Sequence, residues 1–346
     1  MKMLSLFLGL TISAQAWAWG GRGHHAVCEA AVHLVKSQEL REYLKSKPHV
    51  MGFLCNVPDV YWKSLSSETR KIGDPGHFIN VEKIGLKFSE VPNDYKKIVE
   101  TYTGKPSKAD ESKTIYSVPD ELGSSWWRAD QFYRLALEAG KNIKTNPAPQ
   151  NSKEEQNEEL PYNKAFYQMM VNMGLMGHFV GDNGQPFHTS SDYDGYSAGH
   201  GGIHAYYEDS VVNEFGPDLV PRIVKKASTW KSQTFTSKDN VIDNMRALSE
   251  LSYADLKEVY KNDPVITASS LKIEKGMSIK KQAVRKPASV AFKKMDEMIV
   301  KQMARSSLLL AHFWDEIYKA SGSPAIKSYK SYQYPLMPDF VKPDYF

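Results

Sequence analysis

Between Gly174 and Glu208 the chain concentrates side chains that bind metals or move protons: His178, Asp182, His188, His204 and Glu208. His178 and Asp182 are four residues apart, as are His204 and Glu208. On a helix that spacing puts both members of a pair on one face, about one turn apart, where they can share an ion. Gln185-Pro186 ends the first helix and can swing His188 back toward the same pocket, while the glycines around Gly199 to Gly202 permit a tight approach before the second. Imidazole and carboxylate ligands without thiolates favour zinc or a similar divalent ion in an open, hydrolytic site.

Upstream, His24, Asp59 in Val57-Pro-Asp-Val and His77 in Asp74-Pro-Gly-His-Phe-Ile-Asn80 offer the same chemistry, each a weak signal by itself. His33, His49 and His312 read as hydrogen-bonded core histidines. His25 and His200 sit beside motif residues, where a supporting contact is open to either.

The elements that must position these groups read as helices. Apolar residues recur at helical spacing over Ala26 to Tyr43, Trp126 to Ile143, Tyr162 to Gly181, Tyr206 to Phe215 and Ala288 to Tyr318. Alternating runs are scarce, with short pieces near Phe78 to Val81 as the exception. The pattern predicts an all-α protein, with a single domain over residues 19–320. Residues 82–125 and 145–160, rich in charge, glycine and proline, read as surface insertions. The lysine-rich segment Ser269 to Lys286 and the Pro- and Tyr-rich tail, residues 321–346, read as mobile arms or straps over the body.

Residues 1–18 combine Lys2, the apolar run Met3 to Ile12 and the small-x-small triplet Ala16-Trp17-Ala18, which is the pattern of a secretory signal peptide. The apolar run is too short to span a membrane. The expected mature chain begins at Trp19, has no cysteine there for a lipid anchor, and is exported to the periplasm or secreted. No transmembrane segment and no stable protein partner are expected.

Composition narrows the classes. A chain of 346 residues, 41% hydrophobic and 24% charged, is globular and not disordered. A formal charge of +4 excludes a polybasic coat for duplex DNA. Two cysteines, Cys28 and Cys55, cannot make a disulfide framework. They can pair in an oxidising compartment or stay as buried thiols.

The order of motifs strongly resembles the superfamily of exported trinuclear-zinc phosphodiesterases, which joins the S-one/P-one single-strand nuclease family to the bacterial zinc-dependent phospholipases C. The resemblance lies in Trp19, His24, Asp59, His77-Phe78, His178-x3-Asp182-x5-His188 and His204-x3-Glu208. It implies an all-helical fold around a cleft that holds three zinc ions. One zinc would take Asp59, His77, His178 and Asp182, and a second His188, His204 and Glu208. The third would take His24, a bridging Asp182, and the α-amine and carbonyl oxygen of Trp19, so the amine must be freed by cleavage. Asp59 and Asp182 carry the catalytic assignment, and a zinc-bridged hydroxide would be the nucleophile.

The motifs divide between the two branches. Trp19-Gly-Gly-Arg-Gly-His24 is similar to the nuclease N-terminus, although Asn80 stands where the nucleases usually have Asp. His204-Ala-Tyr-Tyr-Glu208 resembles the phospholipase version. A nuclease also tends to place a basic residue three after its first aspartate, where this chain has Trp62 with Lys63 next. Single-stranded nucleic acid needs stacking faces and basic groups, for which Phe78, Trp62, Tyr206, Tyr207, Lys63 and Arg22 are candidates. Of these, Phe78, Lys63 and Tyr206 lead as substrate contacts. A phosphatidylcholine hydrolase needs instead an apolar rim and an aromatic or acidic pocket for a quaternary ammonium, the rim drawn from Trp126-Trp127 or the tail. The leading expectation is an endonuclease for single-stranded DNA or RNA. The alternative is a phospholipase C acting on phosphatidylcholine-type lipids, and a minor one is a non-catalytic zinc-binding protein.

Overall fold

The computed structural model describes residues 19–274, 277–326 and 337–346. The signal peptide expected over residues 1–18 lies outside the described residues.

The expectation of an all-α protein holds. The long helices are α1 (Gly20–Leu34), α2 (Pro48–Val57), α3 (Ser125–Thr145), α4 (Pro161–Gly184), α5 (Leu219–Ser228), α6 (Val241–Asn262) and α7 (Ala288–Ala320). Their central member is α4. From Gly174 to Gly184 every residue is buried, so this stretch is walled in on all sides by α1, α2, α3, α6 and α7. Small residues make that possible. A Cβ at Gly174 would meet Leu54 at 2.4 Å, at Gly181 the His24 ring at 2.8 Å, and at Gly184 the Ser306 hydroxyl at 1.8 Å. The spacing 174, 177, 181, 184 places these glycines along one face of the helix, against which α1, α2 and α7 can close.

Two apolar clusters form the interior. One gathers α2, α3, α4 and the C-terminal half of α7, and the other gathers Trp19, α5, the Tyr207 to Phe215 segment and the N-terminal half of α7. Cys28 and Cys55 form a disulfide with Cα atoms 6.4 Å apart, which ties α1 to α2.

Several local expectations are corrected. The stretch 82–125 is more than a surface insertion: Ile84, Phe88, Val91, Tyr95, Ile98, Ile115 and Leu122 enter the main core, because its charges alternate with apolar residues at helical and 3-10 spacing. The strand near Phe78 to Val81 reduces to one antiparallel bridge, Ile79 with Gly123. Strands appear instead in the lysine-rich segment: β1 (Val265–Thr267) pairs with β4 (Val284–Arg285), and β2 (Ser270–Glu274) with β3 (Met277–Lys281). Here β-branched and charged residues alternate with a period of two, which suits a ribbon and defeats a helix. In the tail, residues 337–346 lie as a strap. Phe340 stacks edge-on against Trp62 at 5.3 Å, Arg128 donates to the Val341 carbonyl at 2.5 Å, and Gln131 donates to that of Lys342 at 2.7 Å. His33 and His49 are exposed and His312 is half-buried beside Glu316, so none is a core histidine.

Candidate metal centre

Helix α1 presents His24 and helix α4 presents His178 and Asp182, one turn apart and fully buried. Asp59 comes from a π-helical turn, Pro58–Trp62, that continues α2. His77 ends the 3-10 turn Asp74–His77, and His188 lies on the 3-10 turn Pro186–Thr189 that follows α4. His204 and Glu208 come from the turn Ile203–Ala205 and the π-helical turn Tyr206–Val211. Both carboxylates outside α4 therefore sit on widened turns, a feature common at functional sites.

These side chains assemble into three groups able to hold a metal ion: Asp59, His77 and His178; His24, His178 and Asp182; and His188, His204 and Glu208. In the first, His77 Nδ1 lies 2.9 Å from His178 Nε2, 3.2 Å from Asp182 Oδ2 and 3.6 Å from Asp59 Oδ1. In the third, His188 Nε2 is 3.0 Å from His204 Nε2, and Glu208 Oε2 is 2.8 Å from His204 Nε2. Ligands about 2.0 to 2.2 Å from a tetrahedral zinc stand about 3.4 Å from one another, the spacing these atoms bracket. Asp182 faces two ways. Its Oδ2 meets His77 and His178, while its Oδ1 is 3.3 Å from His24 Nε2.

The fit to metal ions also follows from polar atoms left without partners. Neither ring nitrogen of His24 makes a hydrogen bond, nor does Asp59 Oδ2 or Glu208 Oε1, although all are buried. Buried polar atoms are otherwise satisfied in folded proteins, so a cluster of orphans marks missing ligation. The other ring atoms are fixed for that purpose. His178 Nδ1–H donates to the Cys55 carbonyl at 2.7 Å and His188 Nδ1–H to that of His77 at 2.6 Å, which leaves each Nε2 free to ligate. Gln185 donates its amide to Glu208 Oε2 at 2.9 Å.

Electrostatics agree. Burial pushes His24, His77 and His178 well below the usual imidazole range, His188 to about 3 and His204 to about 4, so all stay neutral as ligands must be. Burial, then the neighbouring Asp59, pushes Asp182 well above the usual carboxylate range, and burial does the same to Glu208.

Trp19 is buried where α1 begins, its indole against Tyr207 at 5.9 Å, and a Cβ on Gly181 would lie 2.8 Å from His24 and 3.9 Å from the Trp19 ring. The residue thus stands beside the His24 group. Its carbonyl oxygen accepts from Gly23 N at 3.0 Å.

A pocket of about 430 Å³ opens onto the centre, lined among others by Lys63, His77, Phe78, His188, Tyr193 and His204. Lys63 Nζ reaches Asp59 Oδ1 at 2.6 Å; burial pulls its ammonium down, but Asp59 outweighs this and holds it above its usual value. Tyr206 does not line this pocket: its hydroxyl donates to the Lys286 carbonyl at 3.0 Å and Arg285 lies over its ring. Other stacking and rim candidates belong to the interior. Trp62, Trp126, Trp127 and Tyr207 are buried, with Tyr207 donating to Gln302 Oε1 at 2.7 Å. Arg22 holds the Asn213 and Gly216 carbonyls. His25 pairs with Glu29 and His200 with Asp263, so neither touches a ligand group.

The pocket also includes Asp74, Asp120, Glu121, Lys83 and Tyr193, which the motifs did not single out. Asp74 had a signal, three residues before His77. Asp120 and Glu121 had none, since they arrive through the pairing of Asn80 with Leu122 and of Ile79 with Gly123.

No family model matches the sequence, and no curated protein matches it. Among solved structures the chain is similar to an alpha-toxin of Clostridium perfringens from an avian strain, with a TM-score of 0.38 and 11% identity over 90% of this chain and 66% of that one. A likeness that loose carries no chemistry, and this chain spans just under two thirds of that protein. Among the described residues no helix is long and apolar enough to cross a membrane.

Proposed function

We propose that this chain is a zinc-dependent phosphodiester hydrolase of the phospholipase C type, acting on lipids with a cationic head group such as choline. The charge of the pocket carries this reading. Asp74 and Asp120 line it, whereas its lysines are already committed, Lys63 to Asp59 at 2.6 Å and Lys83 to Glu121 at 2.9 Å. A polynucleotide brings a row of phosphates and needs unpaired basic groups. A quaternary ammonium is served by carboxylates beside aromatic faces, here Phe78 and Tyr193.

Zinc bound at the three groups would supply Lewis acidity toward a phosphate oxygen and a water acidic enough to attack near neutral pH. The chain's own residues hold and orient. Asp59, His77, His178 and Asp182 would hold one ion, His188, His204 and Glu208 a second, and His24, Asp182 and the Trp19 amine and carbonyl a third. Asp182, with an oxygen toward each of two groups, is the natural bridge. Lys63 steadies Asp59, and Gln185 steadies Glu208. Export with cleavage before Trp19 would free the amine that this scheme needs. Trp19 has φ +49°, a left-handed conformation costly for a bulky side chain, and a chain beginning there has no preceding carbonyl to clash.

A single-strand endonuclease is the second reading, favoured by Phe78 and Tyr193 as stacking faces at the pocket. The test is a paired assay of the mature, zinc-loaded protein on phosphatidylcholine vesicles and on single-stranded DNA and RNA, with and without a chelator. Chelator-sensitive release of phosphocholine is expected. Cleavage of the polynucleotide alone would overturn the phospholipase reading in favour of the nuclease.

A further inference from the structure

Among the described residues, five of the thirteen large apolar side chains that remain exposed fall within one short segment: Ile266 at 62%, Leu271 at 46%, Ile273 at 73%, Ile279 at 47% and Val284 at 49%. The register explains why neither face of the β2–β3 ribbon hides them. Leu271 stands opposite Lys280 and Ile273 opposite Ser278 on one face, while Lys272 stands opposite Ile279 and Ser270 opposite Lys281 on the other. Each face thus mixes aliphatic and cationic groups. A two-stranded ribbon with no covered face is marginal in water and gains stability from something that covers it.

The root of the ribbon is built firmly. Ser269 N donates to the Gly199 carbonyl at 2.9 Å, Ala283 N to that of Gly201 at 2.9 Å, and Arg285 joins Asp263 at 2.9 Å while also reaching the His200 and Gly201 carbonyls. That loop leads directly into His204. On the ribbon itself, Lys280 Nζ lies 5.0 Å from the Tyr196 ring and 6.0 Å from that of Tyr193, a residue that lines the pocket. The ribbon therefore stands at the rim of the metal centre.

We propose that the β2–β3 ribbon is a docking element for an anionic phospholipid surface, which sets the pocket over the head groups; its catalytic meaning rests on the phospholipase reading. The chemistry of the segment selects this partner. Lys272, Lys280, Lys281 and Lys286 against Glu274 give attraction to anionic lipid, and the aliphatic side chains between them enter the head-group boundary. A nucleic acid would meet the lysines but no aromatic face on the ribbon.

The experiment uses the mature, zinc-loaded protein in cosedimentation with phosphatidylcholine vesicles, with and without phosphatidylglycerol. Binding should rise with phosphatidylglycerol and weaken with salt. Ile273→Asp is expected to lower vesicle partitioning at least about tenfold, and the pair Lys272→Glu and Lys281→Glu at least about tenfold on anionic vesicles. Hydrolysis of soluble bis(p-nitrophenyl) phosphate should stay at the wild-type rate in both variants, since none of these residues lines the pocket. Unchanged partitioning in both variants would overturn the proposal. So would loss of single-stranded oligonucleotide binding with vesicle binding kept. If the wild type binds vesicles through the ribbon yet releases no phosphocholine, the docking inference stands and the phospholipase reading falls.

Discussion

Replacing Gly177 with alanine probes how closely the centre depends on the packing around the disulfide. A Cβ at this position would lie 2.2 Å from Cys28 Sγ, 2.7 Å from Cys55 Sγ and 2.9 Å from Leu310 Cδ2. Comfortable contact begins near about 3.5 Å, so α4 must retreat by roughly 1.3 Å from a cross-link that prevents α1 and α2 from parting. Overpacking of this kind costs about 1 to 3 kcal/mol, against a gain of about 0.8 to 1 kcal/mol from Gly to Ala inside a helix. With a Cβ forced 2.2 Å from a disulfide sulfur the cost lies in the upper part of that range, and the expected net loss is about 0 to 2 kcal/mol. Removing the sulfurs reverses the balance. Cys28→Ala with Cys55→Ala gives up a cross-link spanning 27 residues, itself about 3.5 kcal/mol on the chain-entropy model. In that background Gly177→Ala should be neutral or mildly stabilising. Reversible urea unfolding of the four proteins gives the cycle, with an expected coupling of about 2 kcal/mol. Zinc per chain should fall in Gly177→Ala alone, because the next residue is His178, held by the Cys55 carbonyl. An equal cost of Gly177→Ala in both backgrounds, or stabilisation with the disulfide intact, would refute the reasoning.

Asp182→Asn, which weakens a ligand shared by two groups, should lower metal affinity by about a hundredfold or more and remove hydrolysis with it, read by metal analysis and turnover together. A chain retaining one residue before Trp19 has no free amine there and should bind one zinc fewer; full stoichiometry and activity would sink the amine-ligand assignment. The metal-free protein should lose thermal stability as pH falls from about 6.5 toward about 4. The histidines held low in the fold, His204 at about 4 and His188 at about 3 among them, contribute stability that is present above the unfolded imidazole value and lost below it. Asp74, Glu82, Asp182, Glu208 and Asp209, held high, oppose this slope but are outnumbered by the histidines held low, His24, His25, His33, His77, His178, His188, His204 and His312. A melting temperature that rises on acidification over that range would contradict the balance.

Much of the centre was legible because ligand chemistry is local. The four-residue spacings of His178 with Asp182 and His204 with Glu208 are helical spacings, and the structure puts those pairs 3.4 and 2.8 Å apart. The surroundings were less legible, because exposure is not a property of residue type. Trp126 and Trp127 offered themselves as a rim yet are buried, with Trp126 donating to Ser249 at 2.8 Å and Trp127 to the Asn93 carbonyl at 2.6 Å. Tyr206 turned to the root of the ribbon and away from the pocket.

The amino-acid sequence by itself determined the helical class and the types and local pairing of the side chains able to hold a metal, since both depend on periods of a few residues. Tertiary structure alone decided that Cys28 pairs with Cys55, that Asp182 faces two groups, and that Asp120 and the paired Glu121 reach the pocket. These depend on close approaches between segments far apart in the chain, which glycines on α4 and the pairing of Ile79 with Gly123 permit and no local pattern records.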